Sequence, residues 1–336
     1  MLLETRNLTK QYGHYKAVNG VSLHIKKGAI YGFIGRNGAG KTTCLKMISG
    51  LAEATDGEIE LFGYKGKDLQ QIRSRVGCLI EAPGLYGSMT AYENLNIKCK
   101  LFGIKKKGYI EEILRVVGLD NVGRKKTKHF SLGMKQRLGI GLALVGEPDL
   151  LVLDEPINGL DPQGIAEIRD TILRLKNERS MTICISSHIL EELSKIATDY
   201  GIIHNGSLLQ ELTRDELMKR CGERMELTLD NPREAIPVLD AMGFANYQVV
   251  DKEHIHIFER LNESALVNME LAKAGIPVKG ISITSEELET YFLNLTGGAA
   301  NAYHVKNRFV QNVLHQEPVC NLDCHGCSDS GYNCPG

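Results

Sequence analysis

The chain has 336 residues, 43% of them hydrophobic, with a net charge of −1. That length suits two domains with a sizeable core, and the balanced charge offers no basic field for nucleic acid. No apolar run reaches the roughly 18 residues of a membrane-spanning helix, and the N-terminus lacks the basic flank and apolar stretch of a signal peptide, so a cytoplasmic chain is expected.

Residues 2–30 read as short strands and turns, with Tyr12 either a ring to stack on a nucleotide base or a half-buried edge-strand tyrosine. An apolar run at residues 29–34 reads as a buried strand. It feeds Gly35-Arg36-Asn37-Gly38-Ala39-Gly40-Lys41-Thr42, which fits the phosphate-binding pattern G-x-x-x-x-G-K-[ST]. Thr43 then opens a helix with Leu45 and Ile48 on one face, stopped at Gly50. The glycines let backbone N–H groups converge on a polyphosphate, and the positive end of the helix dipole faces the anion. Lys41 is placed to reach the β- and γ-phosphates, and the Thr42 hydroxyl to ligate Mg²⁺.

Residues 57–80 suggest a strand and hairpin, a short helix, and a strand over 76–80 that ends at Glu81-Ala82-Pro83-Gly84. Residues 90–117 carry a helical pattern, with Lys105-Lys106-Lys107 as a solvated loop. Ser131 is an expected N-cap for an apolar helix that ends near Gly146 and Pro148. The unbroken run at residues 150–153 suits a strand buried on both faces of a parallel sheet, and it delivers Asp154 and Glu155 to the ligand edge. A second such strand, over residues 181–187, delivers His188 to the same edge.

This ordered set resembles the ATP-binding subunits of ABC transporters, over residues 2 to about 215. Tyr12 matches the family's base-stacking aromatic, and Gly35 to Thr42 its Walker A loop. Phe130-Ser131-Leu132-Gly133-Met134 stands where the signature LSGGQ belongs, keeping Ser131 and Gly133. Residues 150–154 match Walker B, Glu155 the catalytic carboxylate, Gly159-Leu160-Asp161 the D-loop, and His188 the switch histidine. Glu81 takes the place of the Q-loop glutamine. That glutamate and the degenerate signature resemble the branch that protects bacteria from lantibiotics, bacitracin and similar peptides.

The resemblance implies an α/β P-loop NTPase cassette, a mixed sheet core with a helical insert at about residues 88–145. It implies ATP and Mg²⁺ as ligands, the metal held by Thr42, Asp154 and Glu81. Glu155, His188 and Lys41 would carry catalysis, and Ser131, Gly133 and Asp161 would act across a dimer of two such chains. Separate integral membrane permease subunits would place the chain on the inner face of the membrane. The competing reading is a soluble ABC protein working on ribosomes or DNA. The single cassette, the absence of heptads and the net charge speak against it.

Residues 216–298 read as a second unit in the order βαββαβ, which suggests a ferredoxin-like fold. Asn231-Pro232 opens one of its helices, and Thr284 to Glu287 fit a capping box. Residues 299–336 form a tail with Cys320, Cys324, Cys327 and Cys334, spaced for a metal or cluster, against the plainer reading of a disordered terminus with exposed thiols. The five other cysteines sit among apolar neighbours, as buried thiols do.

Overall fold

A computed structural model describes residues 1–221, 223–285 and 288–296. Strands β1 (Leu3–Tyr12), β2 (Tyr15–Val21) and β3 (His24–Ile25) lead into β4 (Ile30–Ile34), the phosphate loop and α1 (Lys41–Ile48). Next come β5 (Asp56–Leu61), β6 (Tyr64–Lys65), α2 (Leu69–Ile72) and β7 (Val76–Leu79), then helices α3 (Ala91–Leu101), α4 (Tyr109–Val116) and α5 (Leu132–Ala143). Strands and helices then alternate as β8 (Leu150–Leu153), α6 (Pro162–Arg179), β9 (Thr182–Ser187), α7 (Leu190–Ser194) and β10 (Asp199–His204), followed by β11 (Ser207–Thr213) and α8 (Arg214–Cys221). The last elements are β12 (Glu223–Leu229), α9 (Pro232–Ala241), β13 (Tyr247–Val249), β14 (His254–Ile257), α10 (Ser264–Lys273), β15 (Val278–Ser285) and α11 (Leu288–Leu295). Met1–Phe292 form one compact unit, which holds every site described below.

The central sheet has the order β11-β10-β4-β9-β8-β7. Its strands are parallel except for β11, which pairs antiparallel with β10. β4, β8 and β9 are buried along their whole length, which is why they read as unbroken apolar runs rather than alternating ones. Because the strands run in parallel, their C-terminal ends share one edge, the ligand edge of such sheets. That edge receives Gly35 after β4, Glu81 after β7, Asp154 and Glu155 after β8, and His188 after β9. A second, antiparallel sheet joins β2-β1-β5-β6, with β3 on β1. Both sheets share a core that includes Leu3, Leu8, Phe33, Leu45, Ile48 and Val152.

The helical pattern over residues 90–117 resolves into two helices, α3 and α4, on either side of the expected Lys105 to Lys107 loop. Gly108 caps α4 with φ 79, a left-handed turn at low cost only for glycine, and the Lys105 to Lys107 loop lies just before it. α3 opens on a capping box: Thr90 Oγ1 accepts from Glu93 N at 3.2 Å, and Glu93 Oε2 accepts from Thr90 N at 2.7 Å. α4 turns Ile110, Ile113 and Leu114 inward and leaves Glu111 and Arg115 exposed, the stripe its spacing dictates.

The C-terminal sheet has the order β13-β14-β12-β15, antiparallel throughout. α9 and α10 cover one of its faces around Leu227, Leu239, Ile255 and Leu271. Asn231 caps α9 by accepting from Arg233 N at 3.3 Å, with Pro232 in the first turn. β15 runs to Ser285, which pairs with Glu223. The capping-box reading of Thr284 to Glu287 and the cysteines Cys320, Cys324, Cys327 and Cys334 fall outside the described residues, in whole or in part.

Candidate nucleotide site

The fully buried β4 fixes the start of the phosphate loop. Arg36, Asn37 and Gly38 form its exposed crown, Ala39 is buried, and Thr43 is half-buried on α1. Gly40, the N-cap of α1, has φ 105, and a Cβ there would stand 2.4 Å from Ala17 O. The turn is therefore closed to any other residue. It aims the unpaired first-turn N–H groups of α1 outward from the loop. Lys41 is 5% exposed. Its Nζ donates to Gly35 O (2.6 Å) and Arg36 O (3.2 Å) and lies 3.0 Å from Glu155 Oε1.

At the end of β8, Asp154 is 4% exposed and both its oxygens are engaged. Oδ2 accepts from Thr42 Oγ1 at 2.8 Å, and Oδ1 from Ser186 Oγ at 2.6 Å. Ser186 Oγ in turn accepts from Glu155 N at 2.9 Å. His188 Nδ1 and Glu155 Oε2 are 2.7 Å apart. With the carboxylate accepting, Nδ1 carries the proton and Nε2 is left as an acceptor in the neutral ring. Glu155 Oε1 is buried and accepts no hydrogen bond, so the Lys41 charge is what compensates it. Lys41, Thr42, Asp154, Ser186, Glu155 and His188 thus form one continuous polar network. Glu155 has φ 47 and Glu81 φ 64. Both carboxylates sit two residues past adjacent strands in the left-handed region, a strain of order 1–3 kcal/mol each that gathers at functional sites.

The Glu81 carboxylate does not join this network. It takes Lys46 Nζ of α1 at 2.5 Å, and its side chain is 63% exposed. That hydrogen bond holds the Lys46 ammonium above its ordinary pKa. Tyr12 ends β1 half out in solvent at 53% exposure, with Lys10 Nζ 5.2 Å above its ring. Ser131 caps α5, accepting from Met134 N at 3.2 Å, and Asp161 caps α6, accepting from Gly164 N at 3.0 Å. Ser131, Gly133 and Asp161 line a separate cavity of about 520 Å³. Among the described residues no hydrogen bond or ion pair links them to the phosphate loop of their own chain. Ser186 and Lys46 are the site residues that sequence reasoning passed over. The signal for Ser186 was a hydroxyl on a fully buried strand, which must find a partner.

The arrangement fits a magnesium nucleotide. A buried ammonium rests on loop carbonyls that a phosphate can replace. Thr42 and Asp154 offer only oxygen, as a hard cation requires. Among the described residues no three His, Cys, Asp or Glu side chains gather as a metal cage, and magnesium needs none, since it takes one or two carboxylates plus substrate phosphates.

A family model described as ABC transporter matches residues 18–158. The chain is 44% identical over 299 residues to the bacitracin transport ATP-binding protein BcrA of Bacillus licheniformis, covering 88% of this chain and 98% of that one. It is 43% identical over 216 residues to the lantibiotic transport ATP-binding protein SrtF of Streptococcus pyogenes, covering 64% and 92%. A solved dimeric bacterial ABC transporter cassette superposes with TM-score 0.58 at 25% identity, over 63% of this chain and 98% of that one.

Proposed function

This chain belongs to the ATP-binding subunits of ABC transporters, and on that premise we propose how its residues act and what its transporter handles. It is an ATP-binding, ATP-hydrolysing subunit close to the bacitracin and lantibiotic transport ATP-binding proteins. The ribosome- or DNA-associated alternative finds no support among relatives that are transport proteins by name.

We assign Lys41 and the N–H groups of residues 35–43 to the phosphates of ATP and Tyr12 to its base. Thr42 and Asp154 would hold Mg²⁺, with Glu81 as a further oxygen; when bound, the metal neutralises phosphate charge. Glu155 is the general base that takes the proton of the attacking water. His188 keeps the Glu155 carboxylate aimed through Nδ1 and meets the γ-phosphate through Nε2. Ser131, Gly133 and Asp161 act on the nucleotide of a second copy, which agrees with their having, among the described residues, no hydrogen bond or ion pair to their own phosphate loop. The observation that carries the reading is the continuous contact from Thr42 through Asp154 and Ser186 to Glu155, His188 and Lys41.

The domain division follows: residues 1–215 are the nucleotide-binding domain with its insert at about 88–145, 216–298 an accessory domain, and 299–336 a Cys-rich tail. The strand order of the accessory sheet supports a ferredoxin-like fold. Two copies would work with membrane permease subunits at the inner face of the membrane. Among the described residues no helix is long and apolar enough to cross it. The names of the relatives support bacitracin- or lantibiotic-like peptides as cargo, exported for resistance.

The test is labelled-ATP binding by Lys41→Ala, and bacitracin tolerance of cells carrying the chain with its membrane partners. Binding falls to background and tolerance is lost with Lys41→Ala. Near-normal binding would sink the site; tolerance unmoved by the wild-type complex would sink the cargo.

A further inference from the structure

A cavity of about 680 Å³ lies between α8 and the C-terminal sheet, on residues distinct from the nucleotide network. The face of the sheet not covered by α9 and α10 supplies its floor. There Arg224 alternates with buried Met225 on β12, and His256 and Phe258 alternate with buried Ile257 on and just after β14. α8 supplies Lys219 and Arg220, and α11 supplies Tyr291. Three cationic side chains from two elements therefore face one concavity. Among the described residues none of the three has a carboxylate within ion-pair distance.

The acid on the wall, Glu216, is already committed: its Oε2 accepts from Thr213 N at 2.7 Å and Thr213 Oγ1 at 3.0 Å, at the start of its own helix. Arg224 Nε is buried with no hydrogen-bond partner, and Nη1 reaches only Arg220 O, at 3.5 Å. Arg220 spends one donor on Tyr291 OH, at 2.8 Å. A buried guanidinium N–H left unmade is costly, and cations in a concave wall focus their field on an anion. Phe258 meets His256 edge-on with ring centroids 6.3 Å apart, an aromatic corner beside the charged one. His256 Nε2 stands 3.7 Å from Glu226 Oε2, so the acid of β12 guards that side and leaves the anionic end to α8.

We propose that this cavity is a second ligand site, for a small organic anion that carries a flat apolar ring. Its phosphate or carboxylate head lies among Lys219, Arg220 and Arg224, where the planar forks of the two arginines match either oxyanion and the Lys219 ammonium adds a point charge. Its ring lies against Phe258 and Tyr291. The volume is that of a small-molecule site, commonly about 300–1,000 Å³.

Calorimetric titration of the full chain with phenyl phosphate, benzoate and inorganic phosphate tests this, in the wild type and in Lys41→Ala. One of the two ring-bearing anions binds one per chain in both proteins, at least about tenfold more tightly than inorganic phosphate. Arg224→Gln weakens that binding at least about tenfold. Lys219→Gln, an exposed change that does not threaten folding, does so as well, and neither alters basal ATPase activity. The proposal is overturned if neither ring-bearing anion binds, if binding vanishes in Lys41→Ala because the phosphate loop was the site, or if both charge variants bind as the wild type does.

Discussion

Lys41 Nζ and Glu155 Oε1 lie 3.0 Å apart, in side chains that are 5% and 18% exposed. The ammonium assigned to phosphate is thus already paired with the carboxylate assigned as base. On that assignment an incoming γ-phosphate would replace the carboxylate on Lys41 and release Glu155 to its water, so loading the loop would also arm the base.

Glu155→Gln separates the two roles. It deletes the base and also the charge that competes for Lys41. Hydrolysis falls by about 10²- to 10⁴-fold, the usual worth of a general base. ATP binding persists or tightens, by up to about tenfold, or ~1.4 kcal/mol. Size-exclusion with ATP then shows a trapped dimer. Turnover near that of the wild type would remove Glu155 from the role.

Ser186→Ala tests the hydroxyl that ties the two acids together. Ser186 Oγ donates to Asp154 Oδ1 and accepts from Glu155 N, so its loss frees one oxygen of the Asp154 carboxylate and leaves Glu155 N unpaired. Such supporting contacts are worth about 10–100-fold in metal affinity or activity. The Mg²⁺ concentration for half-maximal hydrolysis rises. Ser187→Ala is the control, since Ser187 Oγ accepts only from the following turn, at Ile189 N, and its titration stays at wild type. Equal effects of the two changes would deny Ser186 a positioning role.

The parallel core was legible because buried parallel strands carry unbroken apolar runs, and the acids and His188 follow those runs directly. The phosphate loop was legible because its glycines, lysine and threonine are local in sequence. What escaped was lateral. Ser186 is one residue among six buried ones in β9, and only its neighbour β8 shows what its hydroxyl holds. Lys46 reads as the exposed side of a helix, and its partner lies 35 positions away. The Lys105 to Lys107 loop between α3 and α4 was legible from its charge, whereas Gly108 as the cap of α4 shows only in its φ of 79.

Thiol reactivity follows from burial. Cys44 on α1 and Cys184 on β9 are both fully buried. Desolvation pushes the Cys44 thiol up to about 12, and Cys184 is also raised, with burial as the first cause. At pH 8 a thiol of that acidity is ionised about once in 10,000 molecules, and the thiolate is the nucleophile. Native protein treated with iodoacetamide leaves both unlabelled in a peptide map, and denatured protein labels both. The raised value also sets a sign for stability. The contribution of the neutral thiol is complete below 9.0, the ordinary value, and is lost as pH rises from there towards about 12. Rapid labelling of either cysteine in the folded chain would contradict this.

Glu81 and Lys46 give the last prediction. Lys46 Nζ holds the Glu81 carboxylate at 2.5 Å, and Thr42 Oγ1 donates to Asp154 Oδ2. If Glu81 is a magnesium oxygen, the metal must win it from Lys46, and the two substitutions then act in opposite directions. Glu81→Gln leaves a neutral amide that offers the cation one weak oxygen, so more Mg²⁺ is needed for half-maximal hydrolysis while ATP binding is kept. Lys46→Met removes the competitor, so less Mg²⁺ is needed. In the double variant the competitor has nothing left to hold, and its titration overlays that of Glu81→Gln alone. That non-additivity is the signature of a shared contact. The pair is largely exposed, and a surface ion pair is worth only about 0–1 kcal/mol, so the Lys46→Met shift is at most about fivefold. Mg²⁺ titrations of ATPase rate for the four proteins decide it. Four superimposable curves would leave Glu81 outside the metal site, tied to Lys46 for structure alone.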